Sequence, residues 1–339
     1  RSHYKRPLVV YLCDDELSAE RRFVFMEDSF KQLGIPCKLM TQKPNKADFN
    51  ILETDGGIVV VTQEILQTKL QALTNIRLVI VEENQRVGEN IPYGFLKRSP
   101  SPDLLVFTPT PQPIHVLETT YADFALSTIQ LTDVQLPTCA WNMAKERNIA
   151  YARMLELVQQ GRQGLIVWPM VDGKDLMDIQ SALQAAGAIQ NHFLPGVRIG
   201  IYCSAMTKQE RMKVFEEFKH KRIDVLLCTT VIEDTPPVEN TTMIIVEKSE
   251  LSDAVRLHRL RGHLVKSHYA SHCHYIVSDD ATEEQLTLVD LVCHETDGLA
   301  LAEKVSDASN ELSLRWANKD VLDLRLQARN LAHQLSLRD

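Results

Sequence analysis

The sequence predicts an α/β protein built from two parallel-sheet domains in tandem, followed by a helical C-terminal segment. Three observations carry that prediction. Short runs of four or five apolar residues recur along the chain, amphipathic helical stretches separate them, and the strand pattern stops after Ser278. Strands apolar at nearly every position belong to parallel sheets covered on both faces. A length of 339 residues corresponds to about two domains at roughly 100–200 residues each.

In the first half the strand runs are Leu8–Leu12, Ile58–Val61, Leu78–Val81 and Leu104–Phe107. In the second half they are Leu165–Trp168, Ile199–Tyr202, Val225–Cys228, Met243–Val246 and Tyr275–Val277. Met143–Gln160 reads as a helix stopped by Gly161, a residue type that ends helices by turning left-handed. Thr207-Lys208-Gln209-Glu210 is a capping box, opening a helix with Met212, Phe215 and Phe218 on one face. Residues 132–141, with Pro137, break the alternation and read as a linker. The organisation that follows is a domain over 1–128, a linker over 129–142, a domain over 143–280 and helices over 281–339, among them Glu283–His294 and Val321–Leu335.

Composition excludes several function classes. With 44% apolar and 24% charged residues the chain has a globular make-up. A net charge of −8 argues against a general polyanion binder, although a local basic groove could still attract phosphate. No apolar run approaches the ~20 residues of a membrane span, and the charged opening is unlike a secretory signal. Cys13, Cys37, Cys139, Cys203, Cys228, Cys273 and Cys293 form no CxxC pair. They read as reduced thiols, mostly buried, which suits a cytoplasmic location. His268, His272, Cys273 and His274 resemble a metal cluster, but they run into a strand, where alternate side chains diverge. No metal site is expected there. A phosphate cradle is poorly supported, because there is no GxxxxGK followed by Ser or Thr, no GxGxxG, and only 13 glycines in all. A nucleophile elbow is also missing.

Taken in order, several segments resemble the motor core of RecG, with the transcription-repair factor Mfd close behind; both are superfamily 2 helicases. In the second half these are Gly164–Val167, Arg198–Met206, Phe215–Phe218, Ile223–Glu233, Ile244–Glu247 and Leu257–Gly262. In the first half they are Asp15–Glu20, Val60–Gln67, Leu78–Gly88 and Thr108–Pro113. Thr296–Gly298 and Leu314–Asn318 through Asn330 are similar to the family's C-terminal helices. The resemblance implies two RecA-like domains, with ATP hydrolysis between them coupled to DNA.

The departures from that pattern fall on the chemistry. The family's phosphate loop should precede Tyr4. At the DExH position the chain reads Glu82-Glu83-Asn84-Gln85; Glu82 replaces the metal-binding Asp and Gln85 the His, while Glu83 keeps the position of the base. Thr235-Pro236-Pro237 stands where the family has a glycine and a nucleotide-contacting Asp, and prolines fix φ and remove N–H donors. In the last motif, Arg256-Leu-His-Arg-Leu-Arg-Gly-His-Leu-Val-Lys266 replaces QLHQLRGRVGR. Arg261 remains. The two finger arginines become His263, mostly neutral at pH 7, and Lys266, which lacks the planar fork. A finger arginine contributes about 10³–10⁵ in rate. Thr62, Thr229 and Thr230 keep hydroxyls that the family lays along a phosphate backbone, but Cys13-Asp14-Asp15 puts carboxylates beside that path.

The sequence therefore predicts a helicase-derived pseudoenzyme, with Glu82, Glu83, Gln85, Arg261 and Lys266 as vestiges of the catalytic set. It would use no cofactor and serve as a scaffold for a protein partner, with weak DNA contacts through Thr62, Thr229, Thr230, Arg256 and Arg259. Two alternatives stand beside this reading. One is a fragment of an ATP- and Mg²⁺-dependent helicase whose phosphate loop lies upstream. The other is a regulatory subunit that lends its second domain, and Lys266, to a competent motor.

Overall fold

A computed structural model of the chain describes residues 6–13, 16–41, 52, 55–62, 65, 75–82, 102–108, 125–129, 135–171, 174–175, 179–264 and 268–308. The chain divides into two compact units, 1–109 and 110–339.

The described strands of the first unit form one parallel sheet. They are β1 (Leu8–Cys13), β2 (Cys37–Met40), β3 (Gly57–Thr62), β4 (Ile76–Glu82) and β5 (Asp103–Phe107), ordered β2-β3-β1-β4-β5. The central strands β1 and β3 are buried at nearly every position, as their unbroken apolar runs predict. Helix α1 (Glu16–Gln32) follows β1, and its Ala19, Phe23 and Met26 pack with Tyr11 and Val60. At the start of β3, Gly57 has φ +96°, and a Cβ there would stand 2.3 Å from the Pro36 carbonyl oxygen. Only glycine fits this entry. The buried Asn75 amide ties three segments together, donating to the carbonyls of Arg6 at 3.0 Å and Leu52 at 2.9 Å.

The second unit holds a six-stranded parallel sheet ordered β10-β11-β7-β12-β13-β6. Its strands are β6 (Thr138–Met143), β7 (Gln163–Trp168), β10 (Ile199–Tyr202), β11 (Val225–Thr229), β12 (Thr241–Val246) and β13 (His272–Val277). A two-stranded antiparallel ribbon, β8 (Met170–Val171) with β9 (Lys174–Asp175), follows β7. The helices are α2 (Asn148–Gln159), α3 (Ile179–His192), α4 (Lys208–Lys219), α5 (Ala254–Gly262), α6 (Glu283–His294) and α7 (Gly298–Ala308). One core cluster joins β7, β11, β12 and β13 to α4, α5, α6 and α7; another packs the same sheet against α2 and α3. Helices thus cover the sheet on both faces. A Cβ at Gly164 in β7 would meet the Met154 sulfur of α2 at 2.1 Å, so this close packing needs glycine.

Where sequence and structure differ, the reason is local. Residues 138–142, read as linker, are instead most of β6. It pairs with β13 at the sheet edge, from Thr138 opposite His272 to Met143 opposite Val277. An edge strand half-open to water does not need the apolar run of a central one, and TCAWNM lacks it. The short β2 escaped notice for the same reason. The helix read from Met143 begins later: a 3-10 turn spans Ala144–Glu146 and α2 starts at Asn148. Gly161 follows its end with φ +79°. The Thr207 capping box is present, with Phe215 and Phe218 buried beneath it, whereas Met212 is exposed. A second capping box, Thr282 with Gln285, opens α6. Residues 321–335 lie outside the described residues.

Candidate functional site

In open parallel α/β sheets, ligand chemistry gathers at the carboxyl ends of the strands. The registers bring the motif residues of each unit to such an edge. In the first unit Cys13 ends β1 opposite Thr62 at the end of β3, and Glu82 ends β4 opposite Phe107 of β5. Cys13 and Thr62 are both buried. Asp14, Asp15, Glu83 and Gln85 lie outside the described residues.

In the second unit Thr229 ends β11 opposite Trp168 of β7. The chain then forms a 3-10 turn, Thr230–Asp234, and leaves it at Thr235 in extended conformation (φ −95°, ψ 151°). The residue before a proline is driven out of the helical region, so Pro236 ends the turn here. The Thr235 hydroxyl and backbone N–H both donate to the Ile232 carbonyl, at 2.8 and 2.9 Å. Thr229 and Thr230 are buried. With Thr62 buried as well, the hydroxyls predicted to line a phosphate path are enclosed in their own units.

Helix α5 carries the last motif. Asp253 caps it, accepting from the Arg256 N–H at 2.8 Å. Arg256 and Arg259, three residues apart, lie on one helix face, and that face meets the 3-10 turn. Arg256 Nε is 3.0 Å from Glu233 Oε1, and an Arg259 terminal nitrogen is 3.4 Å from Glu233 Oε2. The carboxylate is only 7% exposed. One buried Glu therefore holds both arginines predicted to reach nucleic acid. The sequence reading missed Glu233 as their partner. A signal was available, because Arg256 and Arg259 both replace uncharged Gln in the family pattern, and a retained acid stands nearby.

Arg261 is almost fully buried and acts at the far end of α6. It donates to the carbonyls of Val292 at 2.6 Å and Glu295 at 2.8 Å, satisfying carbonyls that a helix C-terminus leaves open. Its third contact fixes a tautomer. Arginine has no acceptor, so His258 Nδ1, 2.7 Å away, must be the unprotonated nitrogen. In agreement, burial and then the Arg261 charge bring the His258 pKa down to about 4. His263, at the first finger position, is also buried, and burial followed by the Arg259 charge lowers its pKa to about 4. It is neutral at pH 7. Lys266 lies outside the described residues.

Glu247, just after β12, is enclosed as well. It accepts from the Tyr151 hydroxyl at 2.8 Å and pairs with Arg147 at 3.3 Å. Burial raises its pKa, with Arg147 and Tyr151 pulling the other way. Farther along, His272 contacts Arg153 at 3.1 Å and His274 faces Asn142 at 3.3 Å. No group of three or more potential metal ligands occurs among the described residues, nor is any described helix long and apolar enough to cross a membrane.

Known proteins share the fold that carries these residues. Residues 149–262 match the helicase conserved C-terminal domain. The ATP-dependent DNA helicase RecG of Thermotoga maritima is 24% identical over 308 residues, covering 83% of this chain. RecG of Acidithiobacillus ferridurans is 28% identical over 303 residues, covering 87%. A structure of RecG bound to a three-way DNA junction superposes with a TM-score of 0.66 at 21% identity, over 88% of the chain. The chain carries a RecG-like superfamily 2 helicase core. This RecG-like core spans 39% of the Thermotoga relative and 44% of the Acidithiobacillus one. Its paired parallel sheets also resemble Saccharomyces cerevisiae Dbp5 bound to RNA and ADP BeF3, with a TM-score of 0.58 at 13% identity.

Proposed function

We propose that this RecG-like core is a non-catalytic scaffold or binding module in DNA transactions, engaging a protein partner and, more weakly, DNA, without ATP or Mg²⁺. One observation carries the reading: among the described residues, the basic side chains of the last motif are committed inside the second unit. Glu233 holds Arg256 and Arg259, Arg261 closes the end of α6, and His263 is neutral in the core. A developing charge on a transferring phosphoryl group needs cations aimed at it, and these four side chains are aimed elsewhere. Enclosure of Thr62, Thr229 and Thr230 likewise supports a weak DNA interaction.

The test is ATP hydrolysis by the purified chain with and without branched DNA. The expected result is no DNA-stimulated turnover above background. Turnover abolished by Glu83→Gln would overturn the reading.

A second reading, a motor completed by a phosphate loop upstream of Arg1, is favoured by the 39% share of the Thermotoga relative that the chain spans. Calorimetry on the full gene product separates the two, because saturable Mg²⁺-ATP binding belongs to the second reading alone.

A further inference from the structure

Three cysteines that the helicase motifs do not use converge at one edge of the second sheet. Cys139 lies on the edge strand β6, directly opposite Cys273 of β13. Adjacent strands run ~4.8 Å apart, and residues paired in register point to the same face. The two thiols act on each other electrostatically, and the Cys139 thiol, when protonated, donates to the Pro137 carbonyl at 3.7 Å. Cys273 is fully buried, while Cys139 and Cys293 of α6 sit partly exposed on the rim of the same core cluster. Arg261 reaches Cys139 from α5, its fork already fixed by the carbonyls of Val292 and Glu295.

A thiolate needs a donor and a cation, and Cys139 has both. The Cys273 thiol donates to it and the Arg261 charge stabilises it, with His294 of α6 adding to this. Burial works against them, and the balance brings the Cys139 pKa down to about 7. Cys273 moves well above the ordinary range through burial and its bond to Cys139, beside Tyr275 of the same strand. Cys293 is pushed up to about 12 by burial, then by Cys139 and Asp290. One sulfur of the three is thus set apart as the nucleophile, with a thiol next to it. Redox-active cysteines have this arrangement: low pKa, partial exposure and a resolving partner.

We propose that Cys139 is an oxidative modification site that reacts with small peroxides, with Cys273 as its resolving thiol. The Cys139 thiolate attacks one oxygen of hydrogen peroxide. The O–O bond breaks, the departing hydroxide takes a proton to become water, and Cys139 becomes a sulfenic acid. The Cys273 thiol then attacks that sulfur as it gives up its proton. An S–S bond forms, the S–O bond breaks and a second water leaves. Two thiols are oxidised and one peroxide is reduced. The product ties β6, the first strand of the second sheet in sequence, covalently to β13. This inference is independent of whether the core hydrolyses ATP.

The test treats the reduced chain with hydrogen peroxide at pH 7, blocks remaining thiols and maps peptides by mass. A Cys139–Cys273 disulfide is expected, absent in Cys139→Ser. In Cys273→Ser, a sulfenic acid at Cys139 should be captured by dimedone. Because substitution of the buried Cys273 can impair folding, a second measurement uses the unaltered chain: the pH profile of iodoacetamide alkylation at each cysteine. Cys139 should react first, with a midpoint about 7. Cys37, whose pKa burial raises, should lag about tenfold at neutral pH. Alkylation of Cys37 ahead of Cys139, or a Cys139 midpoint at the ordinary value of about 8.5, overturns the proposal.

Discussion

Arg256 Nε lies 3.0 Å from Glu233 Oε1, joining α5 to the 3-10 turn after β11. The opposite oxygen of the same carboxylate faces Arg259. Removing the negative member of such a group leaves two cations close together and partly desolvated. Glu233→Gln should therefore destabilise the second unit by about 2–3 kcal/mol, at or below the low end of the ~3–5 kcal/mol for a fully buried pair because the Arg256 side chain stays 26% exposed, measured by urea unfolding. The same variant should bind DNA more tightly at low salt, since two positive charges lose their counter-charge. Unchanged stability together with unchanged DNA affinity would mean the carboxylate is not what holds them.

Acid should weaken the second unit in a defined window. The folded pKa of His263 is about 4 against an ordinary 6.5. Its neutral form is the one that packs, so its contribution is complete above pH 6.5 and is lost as pH falls from 6.5 towards 4. A shift of that size corresponds to about 3 kcal/mol. His258 acts in the same direction. Glu247, whose folded pKa is raised, has the opposite sign: its contribution is present below the ordinary glutamate pKa and is lost as pH rises. Denaturant midpoints at pH 7, 5.5 and 4.5 should fall in that order, and His263→Gln should flatten the series.

Mg²⁺-ATP should leave the melting temperature unchanged. A ligand at 100 times its dissociation constant adds about 2.7 kcal/mol of stability, which moves a domain of this size by several degrees. Differential scanning fluorimetry with millimolar nucleotide reads this directly, and a rise of several degrees would count against a non-catalytic core.

DNA binding, where it occurs, should be weak and fall steeply with salt, because contacts to the phosphate backbone release counterions. Fluorescence anisotropy between 50 and 200 mM salt is the measurement. Nanomolar binding at 200 mM would mean that a basic surface beyond Arg256 and Arg259 is at work.

Much of this protein was legible from residue order alone. The nine apolar runs all became strands, the Thr207 capping box opened its helix, and Gly161 followed the end of α2. These are local effects: an apolar run is driven into a sheet interior, and a cap satisfies its own helix. The family resemblance was legible for the same reason, since its motifs are short segments at strand ends.

What residue order could not assign is who meets whom. β6 looked like a linker because an edge strand needs little apolar character, and its pairing with β13 bridges more than a hundred residues. Arg256 and Arg259 read as cations open to phosphate until the fold set Glu233 beneath them, and Arg261 read as a remnant until α6 ended against it. Cys139 and Cys273 were two scattered thiols until the parallel register put them side by side. Burial and charge pairing depend on distance in space, so the chemistry of these side chains was decided only by the tertiary structure.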